Sequence, residues 1–266
     1  VTTIGYQDYL LNQQYKDSSN FNARVELHRR FSVNKYGVQR WVFDHFTLDE
    51  DTKLLEVGCG PGRLWSSNWA RIPTSWQITL TDFSPGMLQE ARQHLGEERF
   101  AYLVADIQAL PFADASFDAM LANHMLYHVP DLPRAFAEVR RVLKPAGRFY
   151  ATTFGRAHMR ELDDLIRKQW PNLPWKGFGA GAPFVLENGK EQLAPFFARV
   201  TLDIYENAFE VTEAEPLAAY AFSSKLGTWM TPEMRAPFVD LIRQELATRG
   251  SIHITNPTGM FVAQKA

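Results

Sequence analysis

Cysteine is almost missing from this chain: one residue in 266, Cys59. A lone thiol closes no internal disulfide framework and supplies no thiolate zinc site, and Cys59 reads as small filler in a tight turn. Long apolar runs are missing as well. No segment reaches the roughly 18 uninterrupted apolar residues of a membrane helix, and Val1 to Leu10 has no basic region leading into an apolar stretch. The expected location is cytoplasmic, with no membrane span. An excess of one charge is the third absence: 28 Lys and Arg against 30 Asp and Glu leave a formal net charge of −2. Nucleic acid needs a concentrated basic surface, so it is not an expected partner, and Arg29-Arg30 and Arg140-Arg141 read as solvated helix faces. Internal repeats and low-complexity tracts are absent too.

What the chain does have is 45% hydrophobic residues, ample for a sizeable core, and a strong alternation of segment types from about Thr52 to Phe154. Apolar runs expected to be buried parallel strands fall at Lys53 to Val57, Ile78 to Thr81, Ala101 to Ala105, Phe117 to Ala122 and Arg148 to Thr153. Helical patterns separate them. Ser84-Pro85 offers an N-cap and a first-turn proline ahead of Met87, Leu88, Ala91 and Leu95. Asp131 precedes a stripe of Leu132, Ala135, Phe136, Val139, Val142 and Leu143, with Pro145 and Gly147 ending it.

Three pieces fall outside a minimal doubly wound sheet. Near the N-terminus, Asp17-Ser18-Ser19-Asn20 offers caps for helices expected near Phe21 to Phe31 and Tyr36 to Phe46. Trp170 to Pro195 is rich in Pro and Gly and reads as loop, with Gly177 to Ala182 flexible enough for a gate. Thr212 to Gly250 is helical, with Thr231-Pro232 opening a helix that Gly250 closes. Arg199 to Tyr205 and Gly259 to Ala263 read as two final strands, the second antiparallel. The expected fold is therefore α/β: a Rossmann-like, doubly wound, mostly parallel sheet with a final antiparallel strand, capped by helices from the N-terminus and a late insertion. Ligands of such sheets bind beyond the carboxyl ends of the strands, where these extra pieces would form a lid.

The densest signal is Leu54-Leu55-Glu56-Val57-Gly58-Cys59-Gly60-Pro61-Gly62, a buried strand running into a glycine turn. Glycine admits positive φ and close approach of a ligand to the backbone. A dinucleotide fingerprint would need a third glycine where Arg63 or Trp65 stands, and no Gly-Lys-Ser or Gly-Lys-Thr follows for a phosphate loop. The turn resembles motif I of class I S-adenosylmethionine-dependent methyltransferases. Asp82 after the second strand, Asp106 within Val104 to Phe112, Ser116-Phe117-Asp118, Asn123 closing the fourth strand and Leu143 to Arg148 continue the family pattern in order.

The resemblance implies a single methyltransferase domain over 1–266, with an N-terminal helical lid over 1–46, a cofactor-binding core over 52–154 and cap segments over 170–195 and 212–250. It implies S-adenosylmethionine as cofactor, S-adenosylhomocysteine as product, and a small organic acceptor methylated on O, N or C in natural-product or other small-molecule biosynthesis. Carried across by position, Glu56 meets the methionine end, Gly58, Cys59, Gly60 and Gly62 bring backbone to the cofactor, and Asp82 accepts from the ribose hydroxyls. Phe83 and Met87 pack on the adenosine, Asp106 faces the adenine amino group, Ile107 lies against the ring, and Asn123 flanks the methionine portion.

A hydroxyl acceptor benefits from a general base, and histidine is the natural candidate. His124 and His128, four apart past the fourth strand, are the expected catalytic residues, with no ligand cluster around them for a metal. Tyr15, Arg24, His28, Tyr127 and Phe178 are the expected acceptor-pocket residues, aromatic faces being suited to a sulfonium or a flat acceptor. The protein is expected as a monomer or homodimer. Two rival readings remain at this stage: a nicotinamide-dependent oxidoreductase, and a non-catalytic protein that binds S-adenosylmethionine for regulation.

Overall fold

Leu54 and Leu55 are neighbours in sequence, are both fully buried, and belong to different cores. Successive strand residues point to opposite faces, so a strand apolar at consecutive positions must be covered on both sides. The computed structural model describes residues 8–16 and 19–266. Asp17 and Ser18, half of the expected capping run, lie outside the described residues.

In chain order the strands are β1 (Lys53–Val57), β2 (Gln77–Asp82), β3 (Phe100–Val104), β4 (Phe117–Asn123), β5 (Leu143–Phe154), β6 (Arg199–Tyr205), β7 (Ala208–Val211), β8 (Ile252–Thr255) and β9 (Thr258–Gln264). Seven of them form one sheet in the order β3-β2-β1-β4-β5-β9-β6. The first five pair in parallel, and β9 runs antiparallel to both β5 and β6. The expected Rossmann-like sheet with one reversed strand is the observed one.

The helices are α1 (Ser19–Phe31), α2 (Val38–Asp44), α3 (Arg63–Ser67), α4 (Pro85–Leu95), α5 (Leu132–Val142), α6 (Arg160–Gln169), α7 (Gly189–Leu193), α8 (Ala214–Phe222) and α9 (Pro232–Arg249). One face of the sheet packs on α2, α3 and α4 through Val42, Phe43, Leu64, Trp65, Leu88, Ala91 and Leu95. The other packs on α5 and α7 through Leu132, Ala135, Phe136, Val139 and Leu193. The caps are as the residue types dictate: Ser84 accepts from the Met87 amide at 3.3 Å ahead of Pro85, and Asp131 accepts from the Arg134 amide at 3.0 Å.

A third apolar cluster lies outside the sheet. Leu27 and Phe31 of α1, Leu162 and Ile166 of α6, Leu217 of α8, Phe238 and Ile242 of α9 and Phe209, Val211, Ile252 and Ile254 of the small β7–β8 ribbon fill it. This cluster is the interior of the cap. The ribbon and α6 have no counterpart in the sequence reading, and α7 interrupts the stretch 170–195 that reads as loop.

Candidate active site

Because β1 to β4 run in parallel, their carboxyl ends share one edge, and β1 and β4 flank the point where the strand order reverses. The residues just past those ends line a single cavity of about 1200 Å³. Small-molecule pockets run to about 300–1,000 Å³, so this one has room for two ligands side by side.

The glycine turn forms part of its floor. Gly58 and Gly60 have φ of 67° and 54°, the left-handed region that favours glycine. A Cβ on Gly60 would meet nothing within 4 Å, so its backbone opens into the cavity, whereas one on Gly58 would come within 2.8 Å of Met125. Gly62, expected to face the cofactor, is not among the lining residues. It opens α3 at φ 77°, and a Cβ there would stand 2.5 Å from Leu95 of α4, so its smallness serves helix packing. Cys59 lines the cavity with its thiol buried; burial and the nearby acids Asp82 and Glu56 push its pKa well up, away from nucleophilic use.

Three carboxyl groups face the cavity, one each at the ends of β1, β2 and β3. Glu56 is 1% exposed and accepts from the Trp65 indole at 2.6 Å; burial, reinforced by the charge of Asp82, lifts its pKa to about 8. Asp82 accepts from the Gly60 amide at 2.8 Å and the Ser84 amide at 2.8 Å, one on each oxygen, while burial pushes its pKa up. Each oxygen keeps a second lone pair, so the same carboxylate can still accept from a vicinal diol. Asp106 accepts from the Gln108 amide at 2.9 Å. Phe83, Met87 and Ile107 complete this half as its apolar wall.

Past β4, Asn123 is engaged at both ends of its amide: it accepts from Thr152 Oγ1 at 2.5 Å and donates to Gln39 Oε1 at 3.1 Å, tying β5 to α2 beside the cavity. His124 follows at φ 55°, a left-handed conformation that strains a bulky residue, and its amide donates to Thr152 Oγ1 at 2.9 Å. That twist directs the chain so that His124 lines the cavity. Burial pushes its pKa down to about 4, so the ring is neutral at pH 7.

The cap supplies the opposite wall. Arg24 of α1 donates from Nη1 to Tyr15 Oη at 3.1 Å, from Nη2 to the Ser223 carbonyl at 2.8 Å and from Nε to Ser223 Oγ at 3.3 Å. Tyr15 in turn meets His128 Nε2 at 2.8 Å. Burial, with the Arg24 charge, brings the pKa of His128 down to about 3. His28 sits edge-on to Phe209 with ring centroids 4.7 Å apart, and burial lowers its pKa to about 4. Tyr127 packs on Phe154 at 4.6 Å, and the Phe178 amide donates to Asp163 Oδ2 at 3.1 Å, holding its segment against α6. Tyr15, Arg24, His28, Tyr127, His128 and Phe178 all line the same cavity.

Several residues of this wall carry no signal in the sequence reading. His158, just past β5, meets Tyr220 Oη at 2.8 Å and stacks on Phe154 with centroids 4.6 Å apart. Burial first, then the neighbours His28, His124 and Arg24, take its pKa down to about 3, with Asn256 working the other way. Trp175, Trp229 and Asn256 join them. The position of His158 beyond a strand's carboxyl end was the one available clue; Asn256 reaches the site only through the β8–β9 connection.

The cavity is thus divided by charge. Every carboxyl group on its wall belongs to the strand ends; the rest of the wall carries cations, Arg24 of α1 among them, and the four lining histidines are neutral. A ligand with cationic groups and a diol fits the strand-end half: acids stand where cations and hydroxyls would lie, and the open Gly60 backbone leaves space. Among the described residues no group of three or more His, Cys, Asp or Glu side chains could hold a metal, and no helix is long and apolar enough to cross a membrane.

A family model for a methyltransferase domain matches residues 55–151, from within β1 to within β5. The chain is similar to the malonyl-acyl carrier protein O-methyltransferase of Erwinia pyrifoliae, with 31% identity over 191 residues, 69% of this chain and 65% of that protein. It is also similar to the ubiquinone/menaquinone biosynthesis C-methyltransferase of Desulfotalea psychrophila, at 36% over 96 residues, 36% of this chain and 39% of that one. The chain spans less than two thirds of the length of each. Among solved structures, phosphoethanolamine N-methyltransferase 2 of Haemonchus contortus, in complex with phosphomonomethylethanolamine and S-adenosylhomocysteine, shares the fold. The TM-score is 0.61 at 18% identity, over 98% of this chain and 60% of that chain. With the glycine turn, the strand-end acids and the reversed final strand in one frame, residues 55–151 carry a methyltransferase domain, and the chain is similar to class I S-adenosylmethionine-dependent methyltransferases.

Proposed function

We propose that this protein transfers a methyl group from S-adenosylmethionine to O, N or C of a small organic acceptor. The observation that carries the reading is the cavity's division: three carboxyl groups at the strand ends and, in the same cavity, an aromatic chamber that holds Arg24 and neutral histidines but no carboxyl group. When bound, the cofactor supplies an electrophilic methyl group on a cationic sulfur. On this reading Glu56 meets the methionine end, Asp82 accepts from the ribose hydroxyls, and Asp106 with Ile107 and Phe83 holds the adenine. The cap excludes water and fixes the acceptor in line, and positioning of this kind can supply much of the acceleration.

His124 is the preferred base for a hydroxyl acceptor. His128 Nε2 is already engaged by Tyr15, whereas no protein hydrogen bond holds the His124 ring among the described residues. The relatives named above act on O, C and N, which supports small-molecule methylation as a class without choosing the atom.

Calorimetric titration with S-adenosylmethionine and S-adenosylhomocysteine tests the donor half, and mass spectrometry of an acceptor panel tests transfer. Binding of both ligands is expected, weakened roughly 10- to 100-fold in Asp82→Ala, which loses acceptors for charged-type hydrogen bonds. No binding of either ligand to the unmodified protein would sink the reading.

A further inference from the structure

The guanidinium of Arg24 lines the cavity, and among the described residues it has no carboxylate partner. Its hydrogen-bond acceptors are a phenol, a hydroxyl and a backbone carbonyl, and the groups that hold its proton are the phenols of Tyr15, Tyr220 and Tyr127. Arginine stays charged whatever its surroundings, and a charge taken out of water is costly unless it is paired.

Part of the charge is offset locally. The Ser223 carbonyl caps the C-terminus of α8, where the helix presents roughly half a negative charge. The rest has no opposite number. The cavity's carboxyl groups all stand at the strand ends, where the reading above assigns them to the cofactor, and the surrounding histidines are neutral. Three of the five N–H groups are committed, leaving one on each terminal nitrogen, a forked pair of the kind that meets two oxygens together.

Two further polar residues stand in the same half. His158 is 6% exposed and Asn256 2% exposed, both line the cavity, and Asn256 acts on His158 as a side-chain hydrogen-bond partner, so this pair is satisfied within itself and the guanidinium is the polar group left to a ligand. The chamber's other faces, such as Phe154, Trp175 and Phe178, are apolar and aromatic.

We infer that the acceptor carries a carboxylate that docks on Arg24, with an apolar, aromatic-sized body lying along the cap. This rests on the methyltransferase reading, which it deepens by naming the acceptor's class. The Arg24 cation selects and orients the acceptor from the side opposite the donor; the histidines beside it are neutral, and the lining cations Arg29, Lys35, Arg40, Lys176 and Lys225 are exposed to solvent.

The test uses matched pairs of probes differing only in charge: acetate and acetamide, benzoate and benzamide, 1-naphthoate and 1-naphthamide. Each is titrated by calorimetry into the full chain saturated with S-adenosylhomocysteine. Benzoate and 1-naphthoate are expected to bind at least about tenfold more tightly than their amides, the size of effect typical of a charge-assisted hydrogen bond. Arg24→Gln is expected to erase that difference and Arg24→Lys to keep part of it, with S-adenosylhomocysteine affinity unchanged in both. Equal binding of acid and amide by the unmodified protein overturns the inference, as does absence of binding by every carboxylate. A preference that survives in Arg24→Gln overturns it too. Because S-adenosylhomocysteine binding is measured first, failure at that step counts against the methyltransferase reading, and failure afterwards against the carboxylate site alone.

Discussion

Tyr15 and His128 lie 113 residues apart and are joined by a 2.8 Å hydrogen bond. Its direction is set by a third group: Arg24 donates to the Tyr15 oxygen, so the phenolic proton is left to point at His128 Nε2. Because His128 is kept neutral, it can receive that proton as an acceptor. The Tyr15 carbonyl also accepts from Ser84 Oγ at 2.7 Å, so this one residue fastens the N-terminal segment to the rim of β4 and to the start of α4.

Tyr15→Phe removes the side-chain half of that attachment. A destabilisation of about 1 kcal/mol is expected, together with faster hydrogen exchange over residues 8–16 in protein saturated with S-adenosylhomocysteine. Unchanged protection there would mean the bond does not hold the segment down.

Glu56 predicts a proton signature. With its pKa lifted to about 8, the carboxyl is mostly protonated at pH 7, and an opposite charge placed beside it lowers that value. Binding of S-adenosylmethionine at pH 7 should therefore release a proton, about one per ligand at most, seen as a dependence of the calorimetric enthalpy on the ionisation enthalpy of the buffer. Glu56→Gln should lose the dependence; its persistence in that variant would place the proton elsewhere.

His124→Gly sets stability against activity. Glycine adopts φ near 55° without strain, so a gain of about 1 kcal/mol in denaturant unfolding is expected. Turnover of a hydroxyl acceptor should fall about 10²- to 10⁴-fold if the ring acts as base. A variant that turned over at the original rate would remove His124 from the chemistry.

His158 controls part of the acid response. The unfolded chain takes up a proton at this position below about pH 6.5, whereas the folded chain refuses it until about pH 3. Between those values the unfolded state binds more protons, so the contribution of His158 to stability is present at pH 7 and is lost as the pH falls through the window. From pH 7 to pH 5 that loss is about 2 kcal/mol, and the corresponding fall in stability should be smaller by that amount in His158→Gln. Equal falls in the two proteins would rule out this linkage.

The strand-end half of the cavity was legible in the sequence because its parts are local. Strand, turn and helix follow within a dozen residues around Gly58 and again around Asp82, and periodicity alone places Asp106 and Asn123 at strand ends. The opposite half is assembled from distance: Arg24 meets Ser223 across 199 residues, and His158 meets Tyr220 across 62. No spacing rule reaches that far.

Two elements escaped for a different reason. At α6 the cap position is Met159 in a left-handed conformation with no side-chain capping bond, so the usual start signal is absent. The strands β7 and β8 are four residues each and pair across an intervening pair of helices, with no hairpin turn between them. For Gly62 the sequence leaves two uses open, because a glycine that admits a neighbouring helix and one that admits a ligand look alike in sequence.

The cap's separate apolar interior has a consequence for how such a protein can diverge. Leu27, Phe209, Leu217 and Phe238 fill a cluster distinct from the two that clasp the sheet. Substitutions there reshape the chamber above the strand ends while the carboxyl groups at those ends stay in place. On the proposed function, such a chain exchanges one acceptor for another by drift in its cap, with the strand-end half left intact.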